Sequence, residues 1–363
     1  MMRTHDVIFS QRSLASPEAN MYVSKGIIFC PYGDYWRQLR RVCTQELLSL
    51  KCVKSFRSIR EEEVASLIGD LHSSKGSLAI NLNEKIFSLT CSITARAAFG
   101  KKCKKQEAFI EIVKEDKATS MDEDEAESLL DVLSNIQGHG DHEFSLETRN
   151  IKAVILDIFI AGGETSSTVV EWAMSEMLKN PKVMEKAQAE VRLVFGGKEN
   201  VNEEDLHKLE FMDLVIKEFL RLHPPVTLLP RESRESSVIV GYQIPEKTKI
   251  IFNTWEMGRD PKYWSDPEMF YPESFDGESG TTSSTDFKGN DFEFIPFGAR
   301  RRMCPEMLFA MADIKLPLAQ LLFHFDWKLP DGINHESFDM SESLGLTVKR
   351  KRDLYLIPIP CVP

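Results

Sequence analysis

The chain has no CxxC pair, no internal repeat, no excess of positive charge, and no apolar run as long as the roughly 18 residues a membrane span needs. Its seven cysteines, Cys30, Cys43, Cys52, Cys91, Cys103, Cys304 and Cys361, are odd in number and scattered. That spacing signals neither a zinc site nor a disulfide framework, so a reducing compartment is the default and at least one thiol is free as ligand or nucleophile. With 45 Lys and Arg against 56 Asp and Glu, the formal charge is −11 and the pI about 5.4. General nucleic-acid binding, which wants a basic face, is excluded on that ground. The most apolar stretch, Ile151 to Gly163, is short, carries Lys152 and Asp157, and reads as a buried helix. The first residues, "MMRTHDVIFSQRS", have the pattern of neither a signal peptide nor an anchor.

What is present is enough chain, 363 residues, to bury a full core without covalent staples. Apolar residues recur at three- and four-residue spacing in Trp36–Leu50, Phe56–His72 and residues 81–99, which predicts helices. An acidic stretch, "MDEDEAESLLDVL", and the segment "QGHGDHEF" follow. They read as solvated loops or a frayed helix start, although His139, Asp141 and His142 could in principle hold a metal. A long helix is expected over Leu146–Asn180, a second from Pro181 to a glycine stop at Gly196 and Gly197, and a third ending at Pro224 and Pro225. Beyond these, "ESSVIVGYQIPEKTKIIFNTW" alternates as short strands and residues 277–290 form a low-complexity loop. A helix over Met307–Phe325 and a final strand pair close the chain. The fold class is mainly α with a smaller β part in the last third.

Four short motifs carry chemistry. "AGGETSS" sets two glycines inside an apolar helix at about 1 kcal/mol each relative to alanine, followed by Glu164 and Thr165. Close helix packing would explain the glycines, and a widened turn holding water or a small ligand would explain the acid and hydroxyl beside them. "KEFLR" places Glu218 and Arg221 on one helix face, and "WRQLR" does the same for Trp36 and Arg40. Last, "FIPFGARRRMCPEM" sets three arginines two places before Cys304. Cations so close predict a lowered thiol pKa, and a thiolate is a nucleophile or a metal ligand. A lone soft ligand suits iron held in a macrocycle better than zinc, which wants three or four protein ligands.

Together, and in this order, these motifs resemble those of the cytochrome P-450 family, the haem-thiolate monooxygenases, and in detail the plant microsomal members. The resemblance runs from about Arg3 to the C-terminus as one catalytic domain. It implies a cytochrome P-450 fold and a haem b whose iron takes Cys304 as axial ligand. Arg302, Arg40, Arg231 (in "LLPRES") and Trp36 would hold the haem propionates, with Phe297 in the cysteine loop. Ala161 and Gly162 would form the oxygen groove. Thr165 and Glu164 would order water and deliver protons, and Glu218 with Arg221 would be the structural ion pair. The implied reaction inserts one oxygen atom from dioxygen into a small lipophilic substrate, such as a terpenoid or other specialised metabolite. Electrons would come from NADPH through a flavoprotein reductase, on the cytosolic face of the endoplasmic reticulum.

The sequence departs from the family pattern at three landmarks. The haem loop reads F-x-x-G-x-R-x-C-x-G in the family, and here Arg300 and Glu306 stand at the two glycines. The first is a position of positive φ, where a β-carbon costs about 1–2 kcal/mol. The second passes close to the haem. Ser274, in "YPESF", stands where the family has an arginine joined to Glu218 and Arg221. The N-terminal anchor and first strands of the family are not seen, and an internal gap is expected near residues 114–122, where the helices roofing the substrate pocket belong. These departures motivate the alternative of a non-catalytic, truncated remnant with impaired haem binding. A nucleic-acid binder or acidic adaptor using Arg300 to Arg302 is the least supported class, since three arginines on an acidic chain lack interleaved aromatics.

Overall fold

The computed structural model describes residues 1–12, 25–73, 78–100, 128–138, 146–198, 200–276, 285–345 and 347–361. The histidine-bearing loop at 139–142, the acidic stretch before Ser128, the expected gap and most of the low-complexity loop lie outside them.

The helices are α1 (Asp34–Val42), α2 (Leu50–Ser55), α3 (Arg57–Ser73), α4 (Leu82–Phe99), α5 (Leu129–Gly138), α6 (Thr148–Lys179), α7 (Pro181–Phe195), α8 (Glu210–Leu222), the single turn α9 (Thr254–Met257) and α10 (Met307–His324). Sequence periodicity placed the long ones within a few residues. The predicted helix Trp36–Leu50 is instead broken: α1 ends at Val42, a π-turn spans Cys43–Leu47, and α2 starts after Ser49, whose hydroxyl accepts from the Cys52 N–H. The third predicted helix likewise divides into a 3-10 turn, Glu203–Lys208, and α8.

Helix α6 is the axis of the molecule. Its 32 residues extend about 48 Å at 1.5 Å per residue, and it starts from a capping box in which Glu147 and Asn150 satisfy each other's backbone. α4, α7, α8 and α10 pack around it. The core they enclose is aliphatic and aromatic, with Trp172, Phe159, Phe195, Phe219 and Phe323 fully buried. By length and hydropathy α6 and α10 could each cross a membrane, yet 67% and 72% of their apolar windows are buried inside the protein. Core helices of a globular fold have that character.

The β part is small and peripheral. A three-stranded antiparallel sheet orders β1 (Ile80–Asn81), β9 (Tyr355–Pro360) and β6 (Phe325–Lys328). Three two-stranded ribbons pair β2 (Leu228–Glu232) with β5 (Lys249–Asn253), β3 (Ser237–Ile239) with β4 (Tyr242–Ile244), and β7 (Glu342–Ser343) with β8 (Lys349–Arg350). The alternating stretch from 236 to 253 supplies β3, β4 and β5 as predicted. β2 carries Pro230 and was not anticipated, and it pairs on one side with β5 and touches Gln11 on the other. The N-terminal residues are thereby laid along β2, which brings Arg12 towards the cysteine loop.

Candidate active site

Cys304 follows a tight turn in which its own N–H donates to the Phe297 carbonyl at 2.8 Å. Gly298 has φ +70° and Arg300 φ +59°. The left-handed position anticipated for Arg300 is therefore real, and a side chain with a β-carbon occupies it. The three arginines go three ways. Arg300 lies over the Phe292 ring at 5.1 Å, and Arg301 reaches outward to Asp6 at 2.5 Å and Tyr32 at 3.1 Å. Arg302 turns inward and is buried.

Arg302 donates to four main-chain carbonyls: Ser10 at 2.8 Å, Ile27 and Ile28 at 3.3 Å each, and Cys30 at 2.6 Å. Its guanidinium also stacks 4.3 Å from the Trp36 ring centre. The Trp36 indole N–H is taken by the Ile27 carbonyl at 3.0 Å. Arg40, one turn along α1, has no hydrogen-bond or ion-pair partner among the described residues. Arg231 is buried and donates to Pro230 O at 3.1 Å.

A fourth cation, Arg12, joins them. It donates to Ile28 O at 3.2 Å and Arg302 O at 3.5 Å, and its buried Nε has no partner. Motif reading passed over Arg12, for which the only signal was a lone arginine closing the apolar run "VIF". Burial pushes Arg12 down to about 10 and Arg231 and Arg302 to about 9. Mutual repulsion within the cluster adds to each, and burial also lowers Arg40. Among the described residues none of the four forms a salt bridge. Arg231 and Arg302 are buried and Arg12 and Arg40 half-buried, and desolvated cations without a paired anion are costly to hold.

Cys304 does not show the lowered pKa that its neighbours predicted. It is half-buried by surface area, yet it lies deep enough that loss of hydration pushes it up to about 12, and Glu306 adds to the rise. Arg40 and Arg12 pull the other way and lose. Desolvation outweighs cations held at a distance.

The helix facing this loop is α6. Its two glycines divide their roles. A β-carbon on Gly163 would sit 3.3 Å from Cys91 Sγ, and the Gly163 carbonyl accepts from Thr90 at 2.9 Å, so Gly163 serves helix packing. Gly162 faces the cysteine loop instead, where a β-carbon would lie 3.2 Å from Glu306 Oε2 and 3.8 Å from Thr94 Oγ1. Ala161, half-buried, accepts from the Thr165 hydroxyl at 2.6 Å. Glu164 points elsewhere, to Lys349 at 2.8 Å and Thr347 at 3.0 Å on the edge of the β7–β8 ribbon. Nearer the start of α6, half-buried Asp157 accepts from the Ile28 N–H at 3.0 Å. No β-carbon fits at Gly26 beside it.

A cysteine loop, a buried arginine cluster and a glycine-notched long helix thus converge on one cleft. The Cytochrome P450 family profile matches residues 1–121 and 101–357. The chain belongs to the cytochrome P450 family. This P450 is 48% identical to desmethyl-deoxy-podophyllotoxin synthase of Sinopodophyllum hexandrum over 99% of its own length and 80% of that relative's. It is 48% identical to cytochrome P450 71D10 of Glycine max, over 100% and 80%. To premnaspirodiene oxygenase of Hyoscyamus muticus it is 44% identical, over 100% and 82%.

The residues of the P450 suit a haem at two points and crowd it at a third. Four guanidiniums that form no salt bridge among the described residues match the carboxylates of a propionate-bearing macrocycle; that of Arg302 already meets main-chain carbonyls, whereas Arg12 Nε is a buried donor still lacking an acceptor. Cys304 is a single soft donor, and among the described residues no cluster of three or more His, Cys, Asp or Glu could hold a bare metal instead. Glu306, seated against Gly162, is the crowding element.

Behind the cleft, the Glu218–Arg221 pair is closed without the arginine that Ser274 replaces. Arg221 forks onto Glu218 at 2.7 and 2.8 Å and donates to the carbonyls of Gly258, Pro267 and Met269. Glu218 also accepts from the Tyr271 N–H at 2.8 Å, with the Ser274 hydroxyl at 3.5 Å. The substitution at Ser274 leaves no orphaned charge, so the 3–5 kcal/mol typical of a broken buried pair does not apply.

Proposed function

We propose that this cytochrome P450 is a single-domain, haem-dependent monooxygenase that inserts one oxygen atom from dioxygen into a small lipophilic specialised metabolite. NADPH supplies the electrons through a flavoprotein reductase, at the cytosolic face of the endoplasmic reticulum. The observation that carries the proposal is the convergence of Cys304 with four arginines that form no salt bridge, two buried and two half-buried, opposite the Ala161–Gly162 turn. When bound, a haem ligated by the Cys304 thiolate supplies dioxygen activation, the thiolate favouring O–O cleavage.

Arg12, Arg40, Arg231 and Arg302 hold the propionates, with Trp36 as the plane against which Arg302 stacks. Phe297 fixes the cysteine loop through the carbonyl that accepts the Cys304 N–H. Thr165 Oγ1, anchored on the Ala161 carbonyl, keeps its lone pairs free to accept a proton-carrying hydrogen bond on the cleft side. Glu164, expected to share this relay, is instead tied to Lys349 and Thr347 and braces α6 against the β7–β8 ribbon. Names such as premnaspirodiene oxygenase among the relatives support a terpenoid or similarly apolar substrate.

The test is a carbon monoxide difference spectrum of the reduced protein. A strongly red-shifted Soret band that disappears in Cys304→Ser supports the assignment. Absence of the band in the wild type supports a second reading, a non-catalytic remnant, which the left-handed Arg300 and the position of Glu306 favour.

A further inference from the structure

Glu306 is a charged side chain that reaches from the cysteine loop to α6. It begins two residues after Cys304, on the loop wall, and ends with Oε2 against Gly162 on α6, the opposite wall. It is buried, at 6% exposure. Among the described residues its carboxyl oxygens find no hydrogen-bond donor and no cation. Its nearest charged influences are two further acids, Asp157 and Asp313. A buried carboxyl group with no partner is expensive, so nothing in its polar contacts explains why it lies there. What its position does satisfy is volume. The Glu306 side chain lies in the notch left at Gly162, where a β-carbon would crowd its Oε2 at 3.2 Å.

We infer that Glu306 is an internal occupant of the cofactor cleft: in the haem-free chain its carboxyl end fills the Gly162 notch, and a macrocycle enters only by displacing it. The inference rests on the haem reading of Cys304. Two consequences follow from geometry. Haem loading is a competition between a tethered side chain and a free ligand, so the apparent affinity is reduced by the fraction of molecules in which the notch is filled. The obstruction is one of bulk, so it scales with side-chain length and not with charge.

Porphyrin binding by the haem-free full chain tests both. Free-base protoporphyrin IX, followed by its fluorescence, probes fit without iron ligation, and haemin followed by its Soret band probes fit with it. Glu306→Ala should bind both about tenfold or more tightly than wild type, a change equivalent to about 1.4 kcal/mol. Glu306→Asp should be intermediate, and the isosteric Glu306→Gln should match wild type. Far-UV circular dichroism identifies any variant that fails to fold, and the Asp and Gln variants keep the size series readable if the Ala variant is lost. Equal affinities across the series, or Gln matching Ala, overturn the inference while leaving Cys304-ligated haem intact. Failure of wild type and every variant to bind either porphyrin overturns both the inference and the haem assignment beneath it.

Discussion

Two groups of buried charge lie on either side of the cysteine loop, and they are built in opposite ways. Behind it, Glu218 and Arg221 are fully answered: two parallel hydrogen bonds join them, and the remaining donors and acceptors meet backbone groups. In front of it, Arg12, Arg40, Arg231 and Arg302 gather without a salt bridge, with Asp157 and Asp6 acting on Arg12 and Arg231 only from a distance, and buried Glu306 has no cation partner among the described residues. The first group belongs to the fold, and the second is the one we assign to a ligand. Low dielectric makes a satisfied network rigid and an unsatisfied one costly. A protein keeps the second kind only where something else completes it.

The sharpest way to break this comparison is to remove one partner from the closed pair. Glu218→Ala should destabilise the chain by about 3–5 kcal/mol, since it strands Arg221 in the core, and chemical denaturation would read the loss. Arg231→Leu is the matched change in the open group. Stability should move by no more than about 1 kcal/mol, while haemin affinity should fall about tenfold as a propionate contact is lost. Equal destabilisation by the two variants would erase the distinction.

A third buried charge tests the comparison from another side. Asp313 on α10 lies buried with both oxygens unpartnered, and burial raises it from 3.8 to about 8 against the pull of Arg60. A raised carboxyl favours folding when protonated, so its contribution is complete below about pH 4, declines as pH rises to about 8, and is flat beyond. Asp313→Asn should flatten thermal stability across that window. The smallest effect belongs to backbone strain. Arg300→Gly should stabilise the chain by about 1 kcal/mol by relieving its left-handed φ, seen as a small rise in melting temperature.

The helices were legible because their faces repeat every three to four residues and their ends carry glycine, proline or a hydroxyl cap. The cysteine loop and the glutamate–arginine pair were legible because Cys304 meets Phe297, and Glu218 meets Arg221, within a few residues. What escaped is non-local. Arg12 joins the cationic cluster only because residues near the N-terminus lie along β2. The break in the first helix depends on how Cys43–Leu47 packs, and the reach of Glu306 to Gly162 spans the cleft between two elements far apart in sequence. Ser274 misled for the converse reason. Its family position predicted a broken network, and backbone groups from 258 to 271 had already closed it.

Arg302 grips carbonyls at Ser10, Ile27, Ile28 and Cys30, which are separated from it by 272 to 292 residues. Joining such distant segments is slow, because the entropy of closing a long loop must be met before any contact rewards it. The arginine cluster and the thiol are therefore brought together late in folding, after segments 272 to 292 residues apart have met, and on the haem reading cofactor capture waits for that tie.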